Sequence, residues 1–476
     1  MSEKYIVGID EGSQSAKITV FDVKGNVICE ARESLRPYNL PKPGYVEHPD
    51  DDWWDAICKA SKKCMDKFEG NKKDIVGIGL CTIRCCRAYL KEDGTLAQPA
   101  LSWMDVRVSE PYKHVNPDVK YIVASSGYIT HRLTGERKDT VANYEYGWPV
   151  DVDQWKWSDD PESYKATGMP REMLFDLVMP GDVLGKITSE ASALTGFPEG
   201  IPVVATSNDK AVEGLGTGCM GDKTACVSLG TYTTAMMEGK ENLKGTSYAW
   251  PKFSSVPNKF FYDSNGIRRG MWTVSWFREV LGDSYVKMAE EKGMSAEELL
   301  SEEAEKVPVG SDGLMTVLDW LAPVEARYKK GMMIGFDGRH TRGHIYRSIL
   351  EAVAMTIKGH VDDMTNELGV TLDKIIITGG GSNSDLFMQI FADVFDLPAV
   401  RNTVNGAAGL GSAICASVAA GVYDSFEEAV ANMVKIKDTF TPIPENKELY
   451  EKVRPIYKDI TNHTDAILQK TYDIFE

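Results

Sequence analysis

The sequence predicts an α/β protein of two duplicated lobes with a phosphate-binding cleft between them, and three observations support that prediction. The 476 residues exceed what one hydrophobic core usually serves, so two domains are expected, or three at most. Each half of the chain holds a strand–loop–strand hairpin with small glycine and hydroxyl residues at its tip, in "GIDEGSQSAK" (8–17) and "TACVSLGTYTTAMMEG" (224–239). A strand, glycine run and helix at 373–395 supply a third loop suited to a ligand.

The first hairpin opens the chain. Residues 5–9 are apolar and strand-like, 16–21 form a second run rich in Ile, Thr, Val and Phe, and Asp22, Gly25 and Asn26 are turn residues before a third run at 27–29. Asp10 ends the first strand, directly before Glu11 and Gly12. A Walker loop supplies a lysine and leads into a helix, whereas this loop has a carboxylate before it and a strand after it. A carboxylate repels phosphate unless a divalent cation lies between them, so Asp10 reads as a ligand of Mg²⁺ or of its water. The competing account is an ordinary hairpin turn.

The second hairpin repeats the pattern at Gly230-Thr231-Tyr232. Backbone N–H groups and hydroxyls of two such loops can hold one phosphate from opposite sides, although Gly230-Thr231 alone also fits a plain turn. Between the hairpins, "GIPVVATSNDKAVEGLG" places Asn208 and Asp209 where an apolar strand ends and a short helix starts. Functional carboxylates of α/β sheets stand at that position. Phosphoryl transfer to a hydroxyl needs a group that orients the nucleophile and accepts its proton, and Asp209 is the candidate; helix capping is the competing account. "GLGTGCMG" (214–221) contains G-x-G-x-x-G, yet it follows a helix-like stretch and precedes a strand. That is the reverse of a dinucleotide fingerprint, which sets nicotinamide binding aside.

In "DKIIITGGGSNSDLFMQIFADVF" (373–395) a buried strand meets three glycines, the cap-type residues Ser382, Asn383 and Ser384, and an amphipathic helix with Phe387, Ile390, Phe391, Val394 and Phe395 on one face. Glycines before a helix N-terminus let a ligand approach the backbone, so this unit reads as a nucleotide platform, with a tight turn as the alternative. The small-residue helix at 406–421 is expected to pack beneath that platform. His340 and His344, flanked by Arg339 and Arg342, read as surface residues. Tyr450, Val453, Ile456, Tyr457 and Ile460 predict a C-terminal helix packed on a lobe.

Bulk properties exclude several classes. Lys and Arg number 53 against 70 Asp and Glu, a net charge of −17, and the longest basic runs are pairs, so no nucleic-acid partner is expected. Nine cysteines without a C-x-x-C pair suggest neither a disulfide framework nor a zinc site. The N-terminus reaches Asp10 after an apolar strand too short for a signal peptide, so none is expected, and no apolar run approaches the ~18 residues of a membrane span. The expectation is a cytoplasmic protein with no membrane partner.

Six segments stand in the order found in the FGGY carbohydrate kinases, which include xylulokinase, glycerol kinase and the autoinducer-2 kinase. They are "GIDEGSQSAK", "PGYVEHPDDDWW" (43–54), "WMDVR" (103–107), "HRLTGE" (131–136), "GIPVVATSNDKAVEGLGTG" and "TGGGSNSDLFMQIFADVFDLP". The chain resembles that family over nearly its whole length. The resemblance implies an actin/hexokinase-type fold of two lobes, each an RNase H-like mixed sheet flanked by helices, with the active site in the interlobe cleft. Residues 1–217 would form the lobe of the sugar and the first phosphate loop, and residues 218–476 the ATP-binding lobe. It further implies ATP and Mg²⁺, with Asp10 on the magnesium side and Ser13, Gln14, Ser15 and Lys17 lining the first phosphate loop. Gly230 and Thr231 would form the second loop, Gly380 and Gly381 would meet the adenosine with Asn383 beside them, and Asp209 would be the catalytic base. The sugar would be held by Arg84 of "TIRCCR", Trp103, Asp105 and Arg107, together with Asp209. Side-chain chemistry agrees, since carboxylates and guanidinium groups against an aromatic wall suit a polyol; Trp103 also fits plain core.

Three departures from the family pattern bear on substrate. Only 23 residues, Val108 to Thr130, separate Arg107 from His131, where the family usually has a helical K-x-x-W segment. "WLAPVEARYKKG" (320–331) replaces the G-E-R-x-P loop, and Arg84-Cys85 stands where xylulokinases tend to have Met-His and glycerol kinase Arg-Glu. The reaction expected is ATP- and Mg²⁺-dependent phosphorylation of a terminal hydroxyl of a small sugar or polyol, a ketopentose first. The alternative substrates are the autoinducer-2 precursor, a tetritol, glycerol or a hexulose. The alternative classes are a non-catalytic sugar sensor and an actin-like ATPase, and a homodimer is left open.

Overall fold

Two mixed sheets organise the chain, and they repeat one strand pattern. The structure, a computed structural model, describes residues 3–145, 147–323 and 326–475. In the first sheet Tyr5–Glu11, Ser15–Asp22 and Val27–Ser34 form an antiparallel meander. Ile75–Thr82 and then Pro202–Asn208 add in parallel beside Tyr5–Glu11, and Val183–Lys186 closes the edge. In the second sheet Thr224–Leu229, Thr233–Gly239 and Phe260–Asp263 form the meander. Lys374–Thr378 and Ala399–Asn402 add in parallel, with Trp250–Phe253 and Ile436–Phe440 at the edges. The duplication expected from the two hairpins is therefore present over six strands, and Trp250–Phe253 is an addition to the second sheet.

Helices cover the sheets because the inner strands are apolar on both faces. Helix Asp52–Lys67 buries Trp53, Trp54, Ile57, Ala60 and Cys64 on the first sheet. Helix Asp385–Phe395 buries the five apolar residues read from its spacing, and Ser384 caps it by accepting from the Phe387 N–H at 3.3 Å. The terminal helix Pro444–Phe475 buries Tyr450 and Ile460, and the Tyr450 hydroxyl donates to Glu351 at 2.8 Å. Among the described residues no helix is long and apolar enough to cross a membrane.

Two expectations need correction. The small-residue helix, Ala407–Ala419, does not lie beneath the glycine platform; it lies on the first sheet and on helix Asp209–Thr217. A Cβ on Gly8 would sit 2.0 Å from the Gly409 carbonyl oxygen, one on Gly79 1.9 Å from that of Ser412, and one on Gly216 1.8 Å from that of Ala407. Backbone meets backbone along this seam, which explains a glycine at position 216 of "GLGTG" by packing. The second correction concerns the histidines. His344 is buried and its Nδ1 lies 3.0 Å from the Thr341 hydroxyl in a capping box, while His340 stacks edge-on against it. The helix start at Arg342 needed partners for its free N–H groups, and the His ring supplies one.

Behind the first sheet Asp139 is fully buried, accepting from the Tyr144 hydroxyl at 2.7 Å and the Thr140 N–H at 2.7 Å. Burial pushes its carboxyl up to about 7 against those bonds. An unfolded aspartate titrates near ~3.9, so across that window the folded protein keeps a proton the unfolded chain has lost. Stability therefore falls as pH rises through the window. Thermal unfolding between about pH 5 and pH 8 should show a smaller decline in Asp139→Asn than in wild type; equal slopes would assign the decline to other groups.

Candidate active site

Three neighbouring strands of the first sheet deliver polar residues at their C-terminal ends, where α/β sheets place their ligands. Asp10 lies at the end of Tyr5–Glu11, Arg84 two residues beyond Ile75–Thr82, and Asp209 directly after Pro202–Asn208. The helix cap is Asn208, whose Oδ1 accepts from the Ala211 N–H at 3.1 Å. Asp209 is thereby released from capping, and its Oδ1 is buried without a protein partner. Burial raises the Asp10 carboxyl to about 6; the carboxylates of Asp209 and Glu213 push the same way, and Lys17 and Lys210 pull back. Lys210 is itself held, with Nζ at 2.8 Å from both Glu213 Oε2 and Ser228 Oγ of the second sheet.

Each of the two hairpin tips is braced by its own contacts. In the first, the Gly12 N–H donates to the Ser15 carbonyl at 3.0 Å, and the Tyr38 hydroxyl donates to the Ser13 carbonyl at 2.9 Å. Ser15 Oγ accepts from Arg32 at 2.7 Å, Lys17 pairs with Glu30 at 2.8 Å, and Gln14 is exposed. In the second, Thr231 is exposed and the Gly230 carbonyl accepts from the Thr233 hydroxyl at 3.0 Å. The platform is a single 3₁₀ turn, Gly380–Asn383. Its two adenosine candidates differ: space beside Gly380 is open, whereas a Cβ on Gly381 would meet Leu229 Cδ1 at 2.8 Å. Asn383 Oδ1 accepts from Asn405 at 3.0 Å. Arg401 Nη1 donates to the Ser382 and Asn383 carbonyls while its guanidinium pairs with Asp385 and Asp438, which fixes the turn.

The structure separates the four residues expected at the sugar. Arg84 reaches across the cleft to Asp263 at 3.1 Å. Trp103 is 49% exposed, so it is not core. Asp105 is buried, and its carboxylate accepts from the Val46 N–H at 2.7 Å, the Arg107 N–H at 2.9 Å, and the Arg107 guanidinium at 2.9 and 2.7 Å. Arg107 also pairs with Glu47 at 2.7 Å and lies 3.8 Å over the Tyr45 ring. Asp105 and Arg107 thus brace the loop that presents Trp103, and none of these bonds reaches Arg84 or Asp209.

Sequence reasoning missed several neighbours of Arg84. Asp263 ends a strand of the second sheet. Lys252 pairs with Glu145 at 3.0 Å, and Glu145 lies 3.4 Å from Asn208 Nδ2. Tyr232, on the second hairpin, feels both Asp263 and Arg84. A cavity of about 1150 Å³ adjoins Tyr232 between the Gly266–Arg268 loop, His360 and the terminal helix, but neither Asp10 nor Asp209 lines it. The loop expected to replace G-E-R-x-P includes Val324 and Glu325, which lie outside the described residues.

Two lobes of one strand pattern, with a glycine hairpin apiece and Arg84 paired to Asp263 between them, make a two-lobed α/β protein with polar residues at its strand ends. Comparison with known proteins gives the class, an ATP-dependent phosphotransferase with an alcohol group as acceptor. The N-terminal domain of the FGGY family of carbohydrate kinases matches residues 5–120 and 111–216, and the C-terminal domain matches residues 225–420. The chain belongs to the FGGY family of carbohydrate kinases. It is 54% identical over 475 residues to an Escherichia coli (strain K12) protein described as an uncharacterized sugar kinase, YgcE, covering 100% of this chain and 96% of that one. It is 24% identical to the xylulose kinase of Lactococcus lactis subsp. lactis (strain IL1403), covering 97% of each chain. The crystal structure of gluconate kinase from Lactobacillus acidophilus matches the fold with a TM-score of 0.84 at 18% identity, covering 99% of this chain and 100% of that one.

Proposed function

We propose that this kinase transfers the γ-phosphoryl group of ATP to a terminal hydroxyl of a ketopentose, with Asp209 as the base. The observation that carries the proposal is the Asp209 carboxylate at the strand end, relieved of capping by Asn208 and with Oδ1 unpartnered. In this reading Asp209 orients the sugar hydroxyl and accepts its proton as the oxygen attacks phosphorus in line. The Ser13–Lys17 loop and the Gly230-Thr231 loop hold the phosphates from the two lobes, and Gly380 with Asn383 lies along the adenosine, Gly381 supporting it from below. Arg84 and Trp103 hold the sugar, while Asp105 and Arg107 position Trp103. The lobes divide at 217/218, and the enzyme works in the cytoplasm.

Among the described residues no three His, Cys, Asp or Glu side chains gather as a metal cage. Mg²⁺ suits such a site, because one or two carboxylates plus phosphate oxygens hold it. Asp10, crowded by the negative charges of Asp209 and Glu213, is the residue that would hold it. The cation neutralises phosphate charge when bound.

The names of similar proteins span several chemistries, among them a ketose, an aldonate, glycerol and autoinducer-2. A coupled ADP-release screen over pentuloses, tetritols, glycerol, hexuloses, aldonates and the autoinducer-2 precursor decides. The highest kcat/KM is expected with a pentulose; a preference for another sugar replaces the ketopentose, and full-rate ATP hydrolysis without sugar would favour an actin-like ATPase.

A further inference from the structure

The second lobe contributes a carboxylate to the sugar side that no motif marks. Asp263 is 8% exposed, and its Oδ2 accepts from Arg84 Nη1 at 3.1 Å across the cleft. Burial works against the charge on Arg84, and the carboxylates of Asp263, Asp209 and Glu145 outweigh it, so the guanidinium holds its proton more tightly than usual. The other cations nearby are matched as well: Lys252 faces Glu145 at 3.0 Å, and Lys210 faces Glu213 at 2.8 Å. With Arg84, Lys252 and Lys210 each matched by an acid, Asp209, whose Oδ1 has no protein partner, adds a carboxylate that none of these three cations offsets.

A sugar hydroxyl suits such a wall, since it can accept from the guanidinium and donate to the carboxylate together. A sugar acid does not, because its carboxylate would stand beside Asp263 with Arg84 already neutralised, and like charges in a partly desolvated cleft repel strongly. We infer that Asp263 determines specificity at the sugar site: by cancelling Arg84 from the opposite lobe, it selects an uncharged sugar over the acid of the same chain length. This inference rests on the sugar-kinase reading above. An ion pair that only joined the lobes would alter stability and leave substrate choice alone.

The test compares wild type, Asp263→Asn, Arg84→Gln and the double variant by ADP release on a ketopentose and on the five-carbon aldonate. Asp263→Asn should raise the KM for the uncharged sugar about tenfold and keep the KM for ATP within about twofold. The acid-to-neutral ratio of kcat/KM should rise about tenfold. In the Arg84→Gln background the same replacement should raise that ratio less, because it relieves the like-charge repulsion but frees no guanidinium to take the acid. An unchanged ratio in Asp263→Asn, an equal change in both backgrounds, or a wild-type preference for the acid overturns the inference. Wild-type preference for a different uncharged sugar replaces only the ketopentose, and the ratio is then read on that sugar and its acid. Should wild type turn over neither ligand, thermal-shift binding decides: the aldonate should stabilise Asp263→Asn and not wild type, and equal shifts overturn the inference.

Discussion

Asp209→Asn lowers kcat by about 10²–10⁴-fold while the KM for ATP stays near its wild-type value, the loss expected when a general base is removed. The replacement keeps the shape of the side chain, and the helix start survives because Asn208 caps it. No protein hydrogen bond to Oδ1 is broken, since that atom has none. The loss should therefore appear in chemistry and not in folding. Single-turnover ADP release together with calorimetric ATP binding separates the two. A variant that retained near-wild-type kcat on its best sugar would remove Asp209 from the chemistry.

Gly8→Ala unfolds or inactivates the protein, with a stability loss of about 3 kcal/mol or more. The added Cβ would lie 2.0 Å from the Gly409 carbonyl oxygen and 2.8 Å from its carbon, atoms of a helix backbone that cannot swing aside as a side chain does. Relief requires lifting helix Ala407–Ala419 off the first sheet, and with it Leu410, Ala413 and Ile414 from the cluster that includes Ile6, Phe21, Val204 and Leu215. Gly359→Ala is the matching control. Gly359 sits within helix Arg342–Leu368 with no atom in the way, so alanine there should gain roughly 0.5–1 kcal/mol from helix propensity. Urea unfolding of both variants reads the contrast; equal stability of Gly8→Ala and wild type would mean that the seam parts at no cost.

What the sequence could show depended on whether a residue's role is local. The hairpins at 8–17 and 224–239 were legible because a strand that ends in glycine and hydroxyl residues has few other uses, and helix Asp385–Phe395 because its apolar spacing and its cap, Ser384, are written in one short continuous stretch. The place of Asp209 at a strand end was legible for the same reason. The small-residue helix shows the limit: a run of Gly, Ala and Ser announces close packing without saying against what, and its partner, Gly8, lies some four hundred positions earlier. His344 was misread because a capping polar residue and a surface polar residue look alike in sequence. Asp263 and Glu145 carry no motif at all, since an acid at the end of an edge-side strand or in a loop is the commonest of surface patterns. Asp105 and Arg107 were visible as a cluster, but only the structure shows that they spend their charges on each other.

The seam also limits how such a gene can be recombined. A cut at 217/218 would give one polypeptide whose sheet ends in bare glycine backbone at Gly8 and Gly79, and another carrying a free rod of Leu, Ile and Ala without its bed. Neither product would own a finished core. A chimera that took its first half from one relative and its second from another would assemble only where the rod and the bed had diverged together. The heritable module is therefore the pair of surfaces and not either lobe, and carbonyl-to-glycine contacts of this kind accept almost no drift, because any side chain larger than hydrogen closes the gap.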